Sequence, residues 1–577
     1  MPGPQPTAGI QIAVNGAPLD NSYMEALLDV QVRDSLMVPD TAVVRVRDPA
    51  GELVDKFPMK VGAAVEIKLA AIGEQALTTL FKGDVVALEP EFHEDAVIIA
   101  VRAYDKSYKL NRDRRSRTYQ QMSATDMIRK VLQEAGLAAG DLKSTSVVHE
   151  YFQQSMETDW QFCWRLAAMH DFEFVVEDGR AHFRPRKLAG AVARLTWGDN
   201  LLMFKPRLTG MGQARDVTVA SHDPKAKQPV MGKAASPQPT TTAPAATTRA
   251  SVVGQLAGGS VTLADRVATT QGEANELAKS ALARMAGSFL EADGKTSGDP
   301  RIRAGTTVKI DKVGSQFSGD YVLTSTTHTI RGGDQYTTSF AISGSLGHTV
   351  TEILNGRANG NGSAPWARDL VVGIVTNNND PEGMGRVRVK FPALSDSLEG
   401  WWARVVTLNA GPRRGMYMLP EVDDEVVVAF EHGDPRRPLV LGAVFNGKDK
   451  PPPELIHDKP TKKSVFGVKS DEKVHVEGRQ AMTLKSEEKM TLLVETAGEG
   501  GTGDFLLDAK GNITQKSVKN TKHEAQAYEI KANQSVTIKG TGAVTVESTA
   551  SLKLKGATVD IEATGPVNVK GAIINLG

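Results

Sequence analysis

The segment from Val536 to Leu576 reads VTIKGTGAVTVESTASLKLKGATVDIEATGPVNVKGAIINL, and it repeats one short unit six times. Each unit is apolar, polar, apolar, as in Val544-Thr545-Val546, and successive units start 8, 8, 7, 8 and 7 residues apart. Two apolar residues in eight are too few to build a core inside one chain, so each strand has to stack on others. The repeat predicts an intertwined β-prism in which several chains pool their apolar faces.

The composition of the last 114 residues fits such a shaft. Ser464–Gly577 contains 14 Lys and Arg, 14 Asp and Glu, and only three aromatic residues. Balanced charges suit a solvated exterior that resists edge-to-edge aggregation, and small aliphatic pairs suit a narrow interior. A single-chain β-solenoid and an amyloid-like stretch are the alternatives, which regular charges and glycines disfavour. The predicted inward residues are Val536, Ile538, Val544, Val546, Leu552, Leu554, Val559, Ile561, Val567 and Val569.

Length and charge limit the class of protein. The 577 residues correspond to about four domains, and 68 Lys and Arg against 68 Asp and Glu give a net charge of zero. A protein that coats nucleic acid normally has an excess of basic residues, so no nucleic-acid partner is predicted. The single cysteine, Cys163, excludes an intrachain disulfide and multi-cysteine metal sites, and suits synthesis in a reducing compartment.

The N-terminal residues Met1-Pro2-Gly3-Pro4 do not begin a basic segment followed by an apolar one, so no signal peptide is predicted. No apolar run approaches the 18 residues of a membrane-spanning helix. We therefore expect synthesis in the cytoplasm and export by other machinery.

The first two thirds of the chain alternate between strand-like and helix-like patterns. Short alternating runs up to about residue 110 predict a β domain, and helices are predicted from Ser123 to Gly136, over 159–170 and over 271–287. Between them, residues 223–248 are rich in Ala, Pro, Thr and Lys, which predicts a mobile loop.

Composition also divides the second half. Residues 355–369 predict a Gly- and Asn-rich hinge, 370–446 a small strand-rich barrel, 447–463 a stiff Pro-rich linker and 464–577 the shaft. Residues 1–354 remain as the first and largest part.

Motifs that could carry chemistry are weak. Gly498–Gly503 matches G-x-G-x-x-G but lacks the helix that a dinucleotide site needs, and Gly294-Lys295-Thr296 lacks the first glycine of a phosphate loop. The 11 histidines are dispersed without a ligand pair, so no metal or cofactor is predicted. Cys163 lies among apolar residues of a predicted helix, which favours an inert thiol, and Asp423-Asp424-Glu425 reads as a solvated turn. No catalytic residue is predicted.

One basic cluster, Arg112–Arg117, has Tyr104, Tyr108 and Tyr119 nearby. Such interleaving can bind single-stranded nucleic acid. In a neutral chain a charged subunit interface or a solvated face is favoured instead.

The barrel region carries a specific set of motifs. They are Val372-Gly373-Ile374-Val375, Asp380-Pro381-Glu382-Gly383-Met384-Gly385-Arg386-Val387-Arg388-Val389-Lys390-Phe391-Pro392, Trp402-Ala403-Arg404-Val405, Gly411-Pro412-Arg413-Arg414-Gly415, Leu419-Pro420-Glu421, Asp424-Glu425-Val426-Val427-Val428 and Gly433-Asp434-Pro435-Arg436-Arg437-Pro438. In this order and spacing they resemble the OB-fold domain of VgrG-type spike proteins and phage baseplate spike proteins. Asp423 stands where that family usually has glycine, and because Asp tolerates a left-handed turn the barrel stays the prediction.

Upstream motifs resemble the phage tail-hub half of the same proteins. They are Arg115–Tyr119, Tyr151-Phe152-Gln153-Gln154, Thr158-Asp159-Trp160-Gln161-Phe162 and His222-Asp223-Pro224-Lys225. The resemblance implies a mainly β fold: an α+β tail hub over 1–354 with two β-barrels and an α/β insertion, then an OB-fold barrel. The C-terminal part would be a triple-stranded β-helix needle, formed by a homotrimer.

The resemblance also implies a function. Such a protein is the hub and membrane-puncturing spike of a contractile injection system, with the hexameric inner tube, baseplate subunits, a PAAR-type tip protein and, transiently, a target membrane as partners. By position, the tip-binding residues here are Ile573, Ile574, Asn575, Leu576 and Gly577. The protein would be assembled into a particle and delivered outside the cell or into a target cell.

About 30 residues separate Phe445 of the barrel from Val474 of the first repeat unit, and the given chain stops at its last repeat, so we expect neither place to hold a catalytic domain. We therefore expect no enzyme activity. The unextended tail, Asp34–Asp40 and Arg47-Asp48-Pro49 look closer to phage-tail-like extracellular particles than to type VI secretion spikes. A cell-wall hydrolase with an unrecognised active site and a β-solenoid adhesin are the rival readings.

Overall fold

The computed structural model describes residues 9–48, 51, 53–186, 188–237, 241–242, 248–256, 259–331, 335–343, 367, 369–394, 398–453, 466–470, 473–494 and 505–576. The chain forms two compact units, Met1–Val468 and Lys469–Gly577. Of the predicted hinge 355–369, only Ala367 and Asp369 are within the described residues, and the predicted linker 447–463 is described only as far as Pro453.

The hub begins with an antiparallel meander. Its elements are β1 (Ile10–Val14), β2 (Ala17–Pro18), α1 (Asn21–Glu25), β3 (Leu27–Ser35), β4 (Thr41–Asp48), α2 (Leu53–Lys56), β5 (Ala64–Leu69), β6 (Thr78–Phe92) and β7 (Val97–Asp105), followed by a 3-10 helix at Lys106–Asn111. On β4, Val44 and Val46 are buried while Arg45 and Arg47 between and after them are exposed. This alternation is what the period-2 pattern of the sequence predicts for a strand with one face on a core.

An α/β insertion follows the meander. Its elements are β8 (Arg114–Ser123), α3 (Ala124–Ala135), β9 (Ala138–Leu142), β10 (Val148–Thr158), α4 (Asp159–Met169), β11 (Phe172–Glu177) and β12 (Arg180–Pro185). Ser123 caps α3 by accepting a hydrogen bond from the amide of Asp126, and Gly136 ends the helix with φ 66°. Thr158 and Gln161 form a capping box at the start of α4. Both predicted helices are confirmed because their start and stop signals are local.

The rest of the hub returns to β structure. Its elements are β13 (Ala193–Thr196), β14 (Leu201–Leu208), β15 (Asp216–Asp223), β16 (Gln228–Ala234), β17 (Thr241–Thr242), α5 (Arg249–Gln255), β18 (Ser260–Leu263), α6 (Gln271–Gly287), β19 (Leu290–Ser297), β20 (Thr307–Asp311), β21 (Gly319–Val322), β22 (Ser325–Arg331) and β23 (Gln335–Ile342). Among the described residues, eleven strands share one sheet in the order β14-β19-β23-β22-β3-β4-β7-β6-β5-β1-β2. The β3–β22 pair joins the two halves of the hub, so one sheet covers two separate hydrophobic cores.

The structure differs from the predicted mobile loop at 223–248. Gln228–Ala234 is strand β16, which pairs with β15, and helix α6 packs on it. A Cβ at Gly232 would lie 2.0 Å from the carbonyl carbon of Ala274, so the glycine allows the helix backbone to approach the strand directly. Residues 238–240 and 243–247 lie outside the described residues.

A buried acidic cluster lies at the loop between β3 and β4 and is formed by Asp34 of β3, Asp40 of the loop and Asp105 of β7. Arg303 Nε donates to Asp34 Oδ2 at 3.0 Å, and Asp40 and Asp105 lie beside this pair. Burial raises the pKa of Asp105 to about 7, with the charge of Asp34 adding to the shift and hydrogen bonds from Ser107 opposing it. Burial also raises the pKa of Asp40, reinforced by Asp34 and Asp105. Arg303 therefore faces two of the three buried carboxyl groups, Asp34 and Asp40.

The same loop joins the meander to the insertion. The indole Nε1 of Trp160 donates to the backbone oxygen of Met37 at 3.3 Å. Leu36 packs against Val175 of β11 and Ala304 of the second half of the hub. The acidic cluster thus lies where three parts of the hub meet.

The predicted barrel is a closed one. Strands β24 (Val371–Asn377), β25 (Arg386–Lys390), β26 (Ala403–Val405), β29 (Glu425–Phe430) and β30 (Pro438–Ala443) close in the order β24-β25-β26-β30-β29, and β27 (Ala410–Gly411) and β28 (Arg414–Gly415) form a separate hairpin. Asp423 has φ 75°, the left-handed conformation expected where the family has glycine. In the strand that follows, every second residue is buried, and Val426 and Val428 face the barrel core.

The second compact unit, Lys469–Gly577, has a different character. In its described part no segment pairs with another as a β-strand, and every residue is exposed. Backbone bends recur at Gly542, Ala550, Ala557, Gly565 and Ala572, at the spacing of the sequence repeat. We call the extended segment between two bends a rung. The unit lies within the predicted shaft, 464–577.

Within the described residues, no helix is long and apolar enough to cross a membrane.

Candidate functional site

The hub and the barrel meet at Arg436, inside the first compact unit. Its guanidinium forms a bidentate pair with Asp434 (Nη2 to Oδ2 2.7 Å, Nε to Oδ1 3.1 Å) and reaches across to Glu273 of α6 (Nη1 to Oε1 2.5 Å). It also donates to the backbone oxygen of Val267 at 3.1 Å and lies 5.3 Å from the ring centroid of Phe152. We call this set of contacts the joint.

Glu273 is the hub side of the joint. It occupies the first turn of α6, whose N-cap is Thr270, and its second carboxylate oxygen accepts hydrogen bonds from the amide and hydroxyl of Thr269. Burial by itself raises the pKa of Glu273, but Arg436 and then His149 and Thr269 outweigh burial and lower it to about 2. The carboxylate therefore stays ionised at neutral pH although only 2% of its side chain is exposed.

Four further contacts connect the hub to the barrel and belong to the joint. The rings of Tyr151 and Trp401 stack with centroids 5.1 Å apart, and the Tyr151 hydroxyl donates to the backbone oxygen of Glu399 at 3.2 Å. The side chain of Lys225 pairs with that of Glu382 at 2.7 Å, and Arg437 Nη2 donates to the backbone oxygen of His222 at 3.2 Å. Two hub motifs and two barrel motifs of the sequence thus converge on this joint.

The turn that presents Glu382 is held by Asp380. Its carboxylate accepts from the amides of Glu382, Met384 and Arg386 and pairs with the Arg386 side chain at 2.7 Å. The bonds from Arg386, against the effect of burial and with help from the backbone amides, hold the pKa of Asp380 well below its usual range. The motif Asp380–Arg386 therefore forms a rigid turn rather than a reactive site.

The predicted inward residues of the shaft are all only partly covered by their own chain. The residues at these ten positions are between 53% and 71% exposed, with Val544 at 56% and Leu554 at 71%. Apolar rows left this open on a single chain are a surface that needs a partner.

The predicted tip residues lie on the last rung. Ile573 is 81%, Ile574 50% and Leu576 95% exposed, and Asn575 is also exposed. Gly577 lies outside the described residues.

The other candidate motifs of the sequence, where the structure describes them, lie in a buried helix, a strand and a turn. Cys163 is fully buried in α4, where burial raises the pKa of its thiol. Gly294-Lys295-Thr296 lies within strand β19, and Gly498–Gly503 is outside the described residues. Asp424 Oδ2 accepts from the amide of Glu421 in the turn before β29. Within the described residues no three His, Cys, Asp or Glu side chains cluster as a metal site.

Part of the basic cluster at 112–117 forms ion pairs within the chain. Arg117 pairs with Glu134 at 3.0 Å and with Asp159 at 3.3 Å, and its side chain is 16% exposed. Arg115 lies 3.9 Å from the same two acidic residues. These two arginines tie strand β8 to helices α3 and α4.

Sequence reasoning missed Glu273. A glutamate in the first turn of a helix reads as a common, solvated position. The one available signal was its hydrogen-bonding context, Thr269-Thr270 before it, which predicts a cap but not burial.

Family models match two parts of the chain. The model of the "Alg8 N-terminal domain" family matches residues 5–332, and that of the "Type VI secretion system/phage-baseplate injector OB domain" matches residues 371–445. VgrG1a, a type VI secretion system spike protein of Pseudomonas aeruginosa, is 26% identical over 217 residues, which are 33% of this chain and 32% of that protein. VgrG1b of the same organism is 36% identical over 90 residues, 15% of this chain and 12% of that protein.

Among solved structures, the Escherichia coli c3393 protein, described as a type VI secretion component, is similar with a TM-score of 0.44 and 16% identity. The match covers 75% of this chain and 99% of that one. The barrel is similar to the type VI secretion system/phage-baseplate injector OB domain, and part of the chain is similar to VgrG spike proteins. Because one family model covers more than half of its residues, the chain belongs to the Alg8 N-terminal domain family. The matched region spans about a third of the first curated relative and less of the second.

Proposed function

We propose that this protein is the structural hub and membrane-puncturing spike of a contractile injection apparatus. In this role it couples a hexameric inner tube to a trimeric needle that carries a tip protein. The observation that carries the proposal is the shaft, whose rungs place two apolar residues on one side and leave them open to solvent in a single chain. The match of residues 371–445 to the phage-baseplate injector OB domain supports the same role.

Three copies of the shaft would supply the missing cover. Fully burying a Val, Leu or Ile side chain contributes about 1.5 to 3 kcal/mol relative to leaving it exposed. These side chains are already partly covered, so each gains less, but ten inward positions in each of three chains still add up to a large stabilisation. The hydrophobic residues are small, which allows the three chains to approach one common axis.

The joint suits the transmission of force from the hub to the barrel. A buried ion pair, a stacked aromatic pair and an exposed ion pair connect elements that lie more than 150 residues apart in sequence. Buried charges that are fully hydrogen-bonded fix one geometry, since any displacement leaves a charge unpaired. A load applied to the hub would therefore reach the barrel without an intervening flexible contact.

The proposal assigns the protein no reaction. Its partners are two further copies of the chain, the inner tube, baseplate subunits, a PAAR-type tip protein at Ile573–Gly577 and, transiently, the target membrane. The protein would be made in the cytoplasm and leave it as part of the particle.

Solution mass tests the proposal. Light scattering on the full-length protein after size-exclusion chromatography is expected to give three times 61.9 kDa. A monomer would contradict the needle. The hydrolase reading is tested separately with purified peptidoglycan, on which no release of soluble fragments is expected.

A further inference from the structure

One face of helix α6 lies against the end of α4. Glu276, Ser280 and Arg284 follow one another at intervals of four residues and therefore share that face. The Ser280 hydroxyl donates to the backbone oxygen of Ala168, and a carboxylate oxygen of Glu276 lies 3.9 Å from Nδ1 of His170. We call this contact between α6 and the α/β insertion the seam. Arg284, in the last turn of α6, belongs to the face that forms it.

Two arginines flank a carboxylate at the seam. Phe172 pairs with Pro185 in the register of β11 and β12, so Asp171 and Arg186 are the next residues along the same two strands. Burial raises the pKa of Asp171 to about 6, although the charges of Arg186 and Arg284 oppose this shift. The carboxylate therefore feels both guanidinium groups, but their attraction does not offset its burial.

Neither of these guanidinium groups has a close partner in the part of the chain that the structure describes. Arg186 and Arg284 are partly buried, make no hydrogen bond or close ion pair there, and Nε of Arg186 is fully covered without an acceptor. Arg266, which lies 3.9 Å from Asp265, adds a third positive charge. Burial and the charge of Arg266 lower the pKa of Arg284 to about 10, against the effect of Asp171. Because a covered guanidinium without acceptors costs free energy, the seam lacks an acceptor.

The acidic residues on the seam leave a positive charge uncompensated. Glu276 is paired with Lys279 of the same helix at 2.9 Å. Asp171 is then the carboxylate that Arg186 and Arg284 share, so two cations face one anion.

We propose that Arg186 and Arg284 bind a small oxyanion, such as sulfate or phosphate, in the seam. A guanidinium presents its N–H donors in a planar fork that fits two oxygens of such an ion. Since both side chains are recessed, a small ion reaches them more easily than a side chain of another protein does. The bound ion would connect the insertion to α6, the helix that also carries Glu273 of the joint. All of these residues belong to one chain, so the proposal does not depend on a trimer.

The test is a titration of the full-length protein with sodium sulfate in a chloride buffer at constant ionic strength. We expect saturable binding by isothermal titration calorimetry and a saturable rise in melting temperature at low sulfate concentrations, where general salt effects are small. Arg284→Gln should weaken the affinity roughly tenfold or more, because it removes charge-assisted hydrogen bonds. Arg207→Gln is the matched control. Arg207 is exposed and pairs with Glu291 at 2.8 Å, so this variant should bind sulfate as the parent does.

Asp171→Asn separates an oxyanion site from a simple ion pair. Asp171 has φ 55°, a left-handed conformation that Asn also adopts, so the turn should be kept. Loss of the carboxylate removes a competitor for the two guanidinium groups, and sulfate should bind roughly threefold tighter or better. A parent that does not bind sulfate, an affinity unchanged in Arg284→Gln, or weaker binding in Asp171→Asn overturns this inference alone. A monomeric protein that binds sulfate would contradict the proposed function and leave the oxyanion site standing.

Discussion

Glu273 and Arg436 are 163 residues apart in sequence, yet their side chains meet at 2.5 Å with 2% and 9% of their surfaces exposed. Such a pair contributes little net stability compared with apolar residues of the same shape, but it is costly to break from one side. The joint should therefore be most sensitive to loss of a single partner.

Arg436→Met leaves Glu273 buried without its cation. We expect the free energy of unfolding to fall by about 3 to 5 kcal/mol, measured by urea denaturation. Adding Glu273→Leu to this variant should restore part of the loss, since it removes the unpaired charge. Arg47→Met is the matched control, because Arg47 and Asp95 form an exposed pair at 3.3 Å. Equal effects of Arg436→Met and Arg47→Met would show that the joint is not a buried, coupled contact.

Val544→Asp places one carboxylate per chain on the predicted axis of the shaft. Unpaired buried charges cost on the order of several kcal/mol each, so we expect the trimer to lose its resistance to heat and detergent, read on an unboiled SDS gel. Thr545→Asp, the next residue and on the solvent side, should leave that resistance unchanged. If both variants behave as the parent does, the inward assignment of Val544 is wrong.

Deleting Ile573–Gly577 removes the last rung only. We expect light scattering to give the same mass as the parent, because the other rungs still supply most of the apolar row. Binding of a PAAR-type tip protein, measured by co-purification, should be abolished. Retained binding would move the tip site elsewhere on the chain.

Asp105 should make stability depend on pH in a definite direction. Its pKa is about 7 in the folded protein and about 4 in an unfolded chain, so folding favours the protonated form. Its contribution to stability is full below about pH 4 and is lost as the pH rises towards 7.

Asp105→Asn removes this titration while keeping the shape of the side chain. As the pH rises from 4.5 to 7.5, the free energy of unfolding of the parent should therefore fall relative to that of the variant. Urea denaturation at several pH values measures this difference. Asp95→Asn reports the effect of losing an exposed carboxylate of the same domain. A parent-minus-variant difference that stays constant with pH would contradict the assignment of Asp105 as a buried, titrating group.

Local signals made part of the fold predictable. Ser123, Gly136 and Thr158 define helix ends through hydrogen bonds to residues at most four positions away, so a sequence pattern contains all that is needed. The barrel was predictable from its motif order, and the spacing of the backbone bends in the shaft was predictable from the sequence repeat. Strand Gln228–Ala234 was not, because Pro, Lys and Gly suggest a loop, and only the approach of α6 explains why Gly232 is there.

The joint was not predictable for a different reason. The two motifs that contain Tyr151 and Arg436 were recognised separately, but no local pattern shows that they meet. Burial of Glu273 depends on a side chain far away in sequence, and a charged residue alone predicts exposure.

The absence of β-strand pairing among the described rungs of one chain has a consequence for assembly. Rungs that are not covered by their own chain can become ordered only against other copies of the chain. The rate of ordering then depends on the protein concentration, unless another part of the molecule holds the copies together. The large, self-contained cores of the hub allow that part to fold first. In the proposed trimer, associated hubs would hold three shafts at a high effective concentration. Closure of the needle would then proceed from the barrel end outwards, and the last rung would be the last to order.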